Sequence, residues 1–289
     1  MGPARQRFLQ HRQGSAQAGG QGVRRVDHEH AAGGEARAGG LGTGHRRLVE
    51  TWHGLEFEPR LQRMREYVEI VRKAWAREEP LVHHGRNFKL PSEGGTGLGK
   101  PLKLMAKPVQ EKLPIYIGAI GPKSVELVGE IGDGWIPAFY DPDDGAGLLE
   151  RLDAGLAKSG RDRSAIDVAP TVPVAVEDDV DEARNHLRPI ISFYLGGMGA
   201  KDKNFYVDLL AANGLADEAH EVQDKFLAGD RIGAAMALTP EVIDMCGVAC
   251  RPGELDERMA RFEAAGADSV IAIPFGSDKE RTVRRLAEL

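Results

Sequence analysis

The stretch from Leu113 to Phe139 restricts the fold more than any other part of the chain. Leu113-Pro114-Ile115-Tyr116-Ile117 is short, rich in β-branched residues and bounded by turn formers, which predicts a buried strand. A helix then starts at Pro122, a residue suited to the first helical position, and sets Val125, Val128 and Ile131 on one face. Gly132-Asp133-Gly134 ends that helix, and Trp135-Ile136-Pro137-Ala138-Phe139 predicts the next strand. Two strands joined by one helix form a βαβ unit, whose strands are parallel.

The same alternation runs through the rest of the chain. Met64, Tyr67, Val68, Val71 and Trp75 fall at helical spacing, predicting a helix near 60–77. Pro91 to Pro101 is crowded with glycine and reads as a long loop. A helical segment from Gly147 to Lys158 precedes a strand from Ile166 to Val176. Helices dominate from Asp181 to about Ala265, broken by the loop Gly196-Gly197-Met198-Gly199. A last strand, Ser269 to Phe275, leads into a basic helix ending at Leu289. Strands separated by crossover helices predict an α/β fold, a parallel sheet covered on both faces. A length of 289 residues suits one catalytic domain, placed at 41–289.

Residues 1–40 differ in texture. Their sizeable apolar residues are Met1, Phe8, Leu9, Val23 and Val26, too few to offset the entropy of ordering, so this leader is expected to be disordered and free of strands. Its bias to Arg, Gly, Ala, His and Gln, without Lys, also fits a GC-rich gene read out of frame. Asp27-His28-Glu29-His30 has the residue types of a metal site but reads as a product of that composition.

Charge and hydropathy exclude several function classes. A formal net charge of -6 opposes a nucleic-acid surface and favours small-molecule partners. No apolar run is long enough to span a bilayer and no secretory signal is present, so the protein reads as cytoplasmic. The i,i+4 spacing of Cys246 and Cys250 predicts one shared helix face; without a third ligand nearby they read as reduced structural thiols, and no metal is expected.

The strongest local sign of chemistry is the loop Gly118-Ala119-Ile120-Gly121-Pro122-Lys123. Two glycines let a ligand approach the backbone, and a helix N-terminus offers unpaired N–H groups to an anion. Spacing alone leaves two readings open, a phosphate site or a tight βα turn. A second run, Gly40-Leu41-Gly42-Thr43-Gly44, precedes a predicted helix through Leu48 and Glu50, with His53 downstream as a proton-transfer or packing histidine. Asp133 is expected in a turn hydrogen bond and Trp135 in the core. His83 and His84 read as exposed loop residues, and the acidic run from Glu177 to Ala183 as a helix start without chemistry.

Four segments, GLGTGHRRLVETWHG (40–54), REYVEIVRKAW (65–75), GTGLGKPLKL (95–104) and LPIYIGAIGPKSVELVGEIGDGWIPAFYDP (113–142), resemble the luciferase-like monooxygenase superfamily. A fifth, RPIISFYLGGMGAKDKNFYVDLLAANG (188–214), resembles its actinobacterial F420-dependent oxidoreductases. The resemblance implies a TIM-like (β/α)8 barrel, incomplete here because the first strands have no counterpart ahead of Leu41. It implies hydride transfer between a small organic substrate and the deazaflavin coenzyme F420, with FMN the alternative cofactor, and assembly as a homodimer. It places the cofactor phosphate at Gly118, Ala119, Ile120, Gly121, Pro122 and Lys123, and Gly42, Thr43 and Gly44 beside the cofactor. Relatives carry a small pair where this chain has Gly44-His45. No catalytic residue is assigned; His45 and His53 are candidates, and a non-catalytic truncated barrel is the third reading.

Overall fold

The computed structural model describes residues 24–30, 34–94, 96, 99–143, 146–201 and 203–289, with side chains from Ala38 onward. The elements follow one another as β1 (Arg24–His30), β2 (Gly34–Gly42), α1 (Arg46–Trp52), α2 (Arg60–Ala76), β3 (His83–His84), β4 (Lys89–Leu90), β5 (Ile115–Gly118), α3 (Pro122–Ile131), β6 (Gly134–Ile136) and α4 (Ala146–Lys158). The second half comprises β7 (Asp167–Val168), β8 (Thr171–Val176), α5 (Val180–Gly197), α6 (Phe205–Ala212), α7 (Ala216–Leu227), α8 (Arg231–Ala237), α9 (Pro240–Cys246), β9 (Val248–Cys250), α10 (Leu255–Ala264), β10 (Ile271–Phe275) and α11 (Lys279–Ala287).

The strands β2, β5, β6 and β7 lie side by side in parallel, with β1 antiparallel at the edge. A parallel bridge from Ala138 to Thr171 carries the wall on to β8, which pairs in parallel with β10 and β9. The predicted strand from Ile166 to Val176 is thus two strands. Pro170, which has no N–H to donate, marks the break, while Ala169 N donates to Trp135 O and Thr171 N to Pro137 O on either side of it.

Alternation along these strands separates two cores. Ile115, Ile117, Trp135 and Val168 point outward and pack with Val125, Val128 and Leu152 of α3 and α4. Tyr116, Ile136, Ala169 and Ile271 point inward and cluster with Ala38. The Tyr116 ring lies where a Gly134 side chain would be, and its hydroxyl donates to Asp167 Oδ2 at 2.6 Å. A third cluster joins α5, α6, α7 and α9 to Phe139, Ala175 and Phe275 at the carboxyl ends of the strands. No helix among the described residues is long and apolar enough to cross a membrane.

Several expectations are corrected. The stretch ahead of Leu41 contains β1 and most of β2, because Gly39 to Gly42 find a parallel partner in β5 and a paired backbone needs no large side chains. Residues 1–23 and the side chains of Asp27-His28-Glu29-His30 lie outside the described residues. Cys246 and Cys250 do not share a helix face: Cys246 ends α9, Cys250 ends β9, and both thiols are buried. Burial pushes the Cys250 thiol up to about 11 and the Cys246 thiol higher still, so both remain protonated. Helix α5 absorbs Gly196 and Gly197 of the expected loop.

His83 and His84 form β3 rather than a loop, and His83 is buried. Its Nε2 lies 3.7 Å from Oε2 of Glu66, a carboxylate that is 3 % exposed. Glu66 accepts hydrogen bonds from Gln62 Nε2 (3.0 Å), Arg86 N (3.1 Å), Asn87 N (2.8 Å), Asn87 Nδ2 (3.0 Å) and Phe88 N (3.0 Å), and so fastens the β3–β4 hairpin to α2. Burial alone would raise its pKa, but the converging donors outweigh it and bring the carboxyl down to about 2. A depressed carboxyl stabilises the fold above its unfolded pKa and loses that contribution as pH falls. The loss therefore falls between the ordinary value of 4.5 and about 2. Glu66→Ala is expected to cost about 3 kcal/mol at neutral pH and to flatten the stability profile in that acid window, measured by urea denaturation against pH.

Candidate functional site

The carboxyl ends of adjacent parallel strands place the two glycine-rich loops side by side. Gly42 at the end of β2 pairs in register with Gly118 at the end of β5, and Gly118 pairs with Ile136 at the end of β6. Loops emerging at this end of a parallel sheet form a crevice, the usual location for ligands in such folds.

The glycines divide by what surrounds them. A Cβ added at Gly42 or Gly121 would meet nothing within 4 Å, and one at Gly118 would come no closer than 3.7 Å to Leu41 O and 3.8 Å to Ile136 O. None of these three has a positive φ. Neither packing nor backbone geometry therefore requires glycine there, and the space beside them is open. Gly44 is different, because its φ of 73° suits glycine.

Helix α3 begins with Gly121 at the N-cap and Pro122 in its first turn, and no side chain caps it. Gly121 O accepts from Ser124 N (2.9 Å) and Val125 N (3.0 Å), which sets the first turn. Lys123 is exposed and forms no ion pair among the described residues. Pro122 has no N–H and Gly121 O takes those of Ser124 and Val125, so the positive end of the helix, the Lys123 amide and the Lys123 ammonium together favour an anion. Behind the loop, buried Trp135 donates from Nε1 to Ala119 O at 2.9 Å and packs edge-on to Tyr140, with ring centroids 5.9 Å apart. Trp135 is core, as expected from its strand, and it anchors the loop from behind.

His45 occupies the N-cap of α1 directly after Gly44 and is half-buried. Burial, then the neighbouring Arg47 charge, lowers its pKa, so the imidazole is neutral at pH 7. His53 is exposed at the other end of α1 and lines a cavity of about 130 Å³ with Gly42, Thr43, Gly44, Arg60 and Tyr67. Both histidine candidates thus lie on the Gly42–Gly44 side of the crevice. Asp133 is not merely a turn residue: its carboxylate accepts from Ile115 N (2.9 Å), Arg72 (3.0 Å) and Lys112 (2.6 Å), tying α2 to the base of β5. Burial opposes its ionisation, but the Lys112, Ile115 and Arg72 contacts prevail and lower the pKa.

Three features of this end of the sheet have no signal in the linear pattern. The buried Phe57 ring carries the guanidinium groups of Arg46 and Arg60 at 4.9 and 5.4 Å, and Arg60 also lies 5.5 Å from Phe205. Phe139, just after β6, has a φ of 53°, a left-handed backbone rare outside glycine. Glu177, read as part of a solvated acidic run, is buried at the end of β8 and accepts from Ser277 N (2.6 Å) and Ser277 Oγ (2.9 Å), with His186 Nε2 3.2 Å away. It closes the rim between β8 and β10.

The fold has known relatives. The model of the luciferase-like monooxygenase family matches residues 37–269. A Mycobacterium tuberculosis protein that carries the name of a coenzyme F420-dependent oxidoreductase is 38 % identical over 254 residues, covering 86 % of this chain and 72 % of its own length. The 5,10-methylenetetrahydromethanopterin reductase of Archaeoglobus fulgidus is 33 % identical over 256 residues, covering 86 % of this chain and 71 % of the relative. Among solved structures, the coenzyme F420-dependent tetrahydromethanopterin reductase of Methanopyrus kandleri superposes with a TM-score of 0.69 at 22 % identity, over 86 % of this chain and 72 % of that one. The fold is accordingly α/β of the luciferase-like barrel type.

Proposed function

This chain belongs to the luciferase-like monooxygenase family, and from that premise we propose that it is an F420-dependent oxidoreductase acting on a small organic molecule, with residues 41–289 as its oxidoreductase barrel. The observation that carries the reading is the set of glycines at Gly42, Gly118 and Gly121, whose missing side chains leave open space in front of an uncapped helix N-terminus. That space suits the phosphate-bearing side chain of a deazaflavin. When bound, the coenzyme supplies a hydride-exchanging carbon.

The chain's own residues orient and neutralise. The Lys123 amide and ammonium at the positive end of α3 receive the phosphate, and Gly118 and Gly121 let it approach the backbone. Trp135 keeps the Ala119 carbonyl turned into the protein, so that an acceptor oxygen does not face the anion. His45, neutral at pH 7, stands on the opposite side of the crevice as the group able to take up or release a proton. The same names among the relatives, F420-dependent in both the mycobacterial protein and the solved reductase, support a deazaflavin over FMN.

Titrating the purified chain with F420 and with FMN, each followed by its own fluorescence, tests the reading. Saturable F420 binding with weaker FMN binding is expected. Tight FMN binding without F420 binding replaces it with an FMN-dependent monooxygenase, and no binding of either replaces it with a non-catalytic barrel.

A further inference from the structure

Phe139, Tyr194 and Tyr206 form a three-ring cluster at the carboxyl ends of the wall strands. Phe139 meets Tyr194 at 5.3 Å and Tyr206 at 5.5 Å between centroids, and the two tyrosines meet at 4.8 Å with an interplanar angle of 83°. Phe139 follows β6, whose Ile136 is the register partner of Gly118, so the rings stand at the same end of the sheet as the anion loop. Ala175 and Phe275, at the carboxyl ends of β8 and β10, pack in the same cluster.

A purely structural aromatic cluster buries its rings and pairs its hydroxyls. Here only Phe139 is buried as such a cluster requires. Tyr194 and Tyr206 are half-buried, and neither hydroxyl has a hydrogen-bond partner among the described residues. Burial, with Tyr194 adding to it, raises the Tyr206 pKa above the ordinary phenol value, so its O–H persists as a donor. The arrangement is also held at a cost. Phe139 keeps a left-handed backbone that a bulky residue adopts only when its surroundings impose it, a form of strain concentrated at ligand sites.

The tyrosines are set by a buried asparagine. Asn204 accepts from Tyr206 N at 2.9 Å and donates from Nδ2 to Leu195 O (2.5 Å) and Tyr194 O (3.2 Å), coupling the end of α5 to the start of α6. Gly199 is needed there because Asn204 fills the space of its missing side chain. A rigid aromatic wall carrying two unpaired O–H donors is matched by a flat apolar molecule with carbonyl acceptors.

We propose that Tyr194 and Tyr206, seated on the buried ring of Phe139, form the substrate wall of this site and select a planar conjugated carbonyl compound, with the two tyrosine hydroxyls donating to its oxygens. The inference rests on the oxidoreductase reading for calling this molecule a substrate, but its binding can be measured without coenzyme.

Equilibrium dialysis of the cofactor-free chain against menadione, a planar naphthoquinone, and 2-methylnaphthalene, its analogue without carbonyls, provides the test. Both cysteines are buried and therefore shielded from quinone addition. Two hydrogen bonds predict a preference of about tenfold for menadione. The double variant Tyr194→Phe/Tyr206→Phe keeps the rings, so it is expected to bind 2-methylnaphthalene as before and to lose the preference. Its folding is checked by thermal melting. No menadione preference in the native chain, or a preference surviving in the double variant, overturns the proposal. A chain that fails to bind F420 yet shows this pattern would sink the coenzyme assignment and leave the wall standing.

Discussion

Gly121→Asp is expected to melt at a higher temperature than the native chain and to bind F420 about 100-fold more weakly. Both effects follow from one atom group. Gly121 is the N-cap of α3, with φ -72° and ψ 147°, a conformation open to any residue, and nothing lies within 4 Å of where its Cβ would be. An aspartate there accepts a hydrogen bond from the Lys123 amide, favours the positive end of the helix and reduces the freedom of the unfolded chain, a gain of about 1 kcal/mol. The same carboxylate occupies the amide that a phosphate would use and repels it. A melting curve and a fluorescence titration read the two signs separately. Unchanged F420 affinity would mean that the coenzyme's phosphate lies elsewhere, whereas loss of both stability and affinity would mean that the loop has a packing role the structure does not show.

The largest stability effect is expected at Gly155→Ala. Helices α3 and α4 approach so closely that a Cβ at Gly155 would overlap the carbonyl oxygen of Glu126 and lie 3.0 Å from the Cα of Gly129. One at Gly129 would overlap Leu152 O in turn. Main-chain atoms cannot rotate away as a side chain can, so the helices must separate, exposing Val125, Val128 and Leu152 of the outer core. A cost of about 3 kcal/mol or more is expected, lowering the melting temperature by roughly 10 °C. Gly147→Ala on the same helix is the control. Nothing lies within 4 Å of its added Cβ, so helix propensity alone acts and stability holds or rises slightly. Equal losses at both positions would show that helix formation, not close packing, sets the effect.

These cases separate two kinds of glycine that look alike in a string of letters. Gly129 and Gly155 are filled by neighbouring backbone, while Gly42, Gly118 and Gly121 face open space. Periodicity locates the strand at Ile115 and the helix from Pro122, because alternation and helical spacing are local properties of the chain. It also locates the glycine-rich loop between them, since a strand, two glycines and a helix-starting proline form one continuous signal. Whether that loop serves a ligand depends on what fills the space around it, which local order does not carry.

The same distinction accounts for the corrections. Gly39 to Gly42 have little strand propensity and become a strand because β5 supplies hydrogen-bond partners. His83 and Glu177 look solvated among polar neighbours, and each is buried by a contact distant in sequence: Glu66 for one, Ser277 for the other.

By itself the sequence determined the alternation of strands and helices, hence a parallel α/β wall, and the strand-glycine-helix junction that can hold an anion. Both depend on the order of neighbouring residues. Only the tertiary structure decided that Gly42 stands opposite Gly118, that the space before α3 is open, and that Phe139, Tyr194 and Tyr206 meet one another. Such juxtapositions arise from pairing and packing between segments tens of residues apart, which no window along the chain contains.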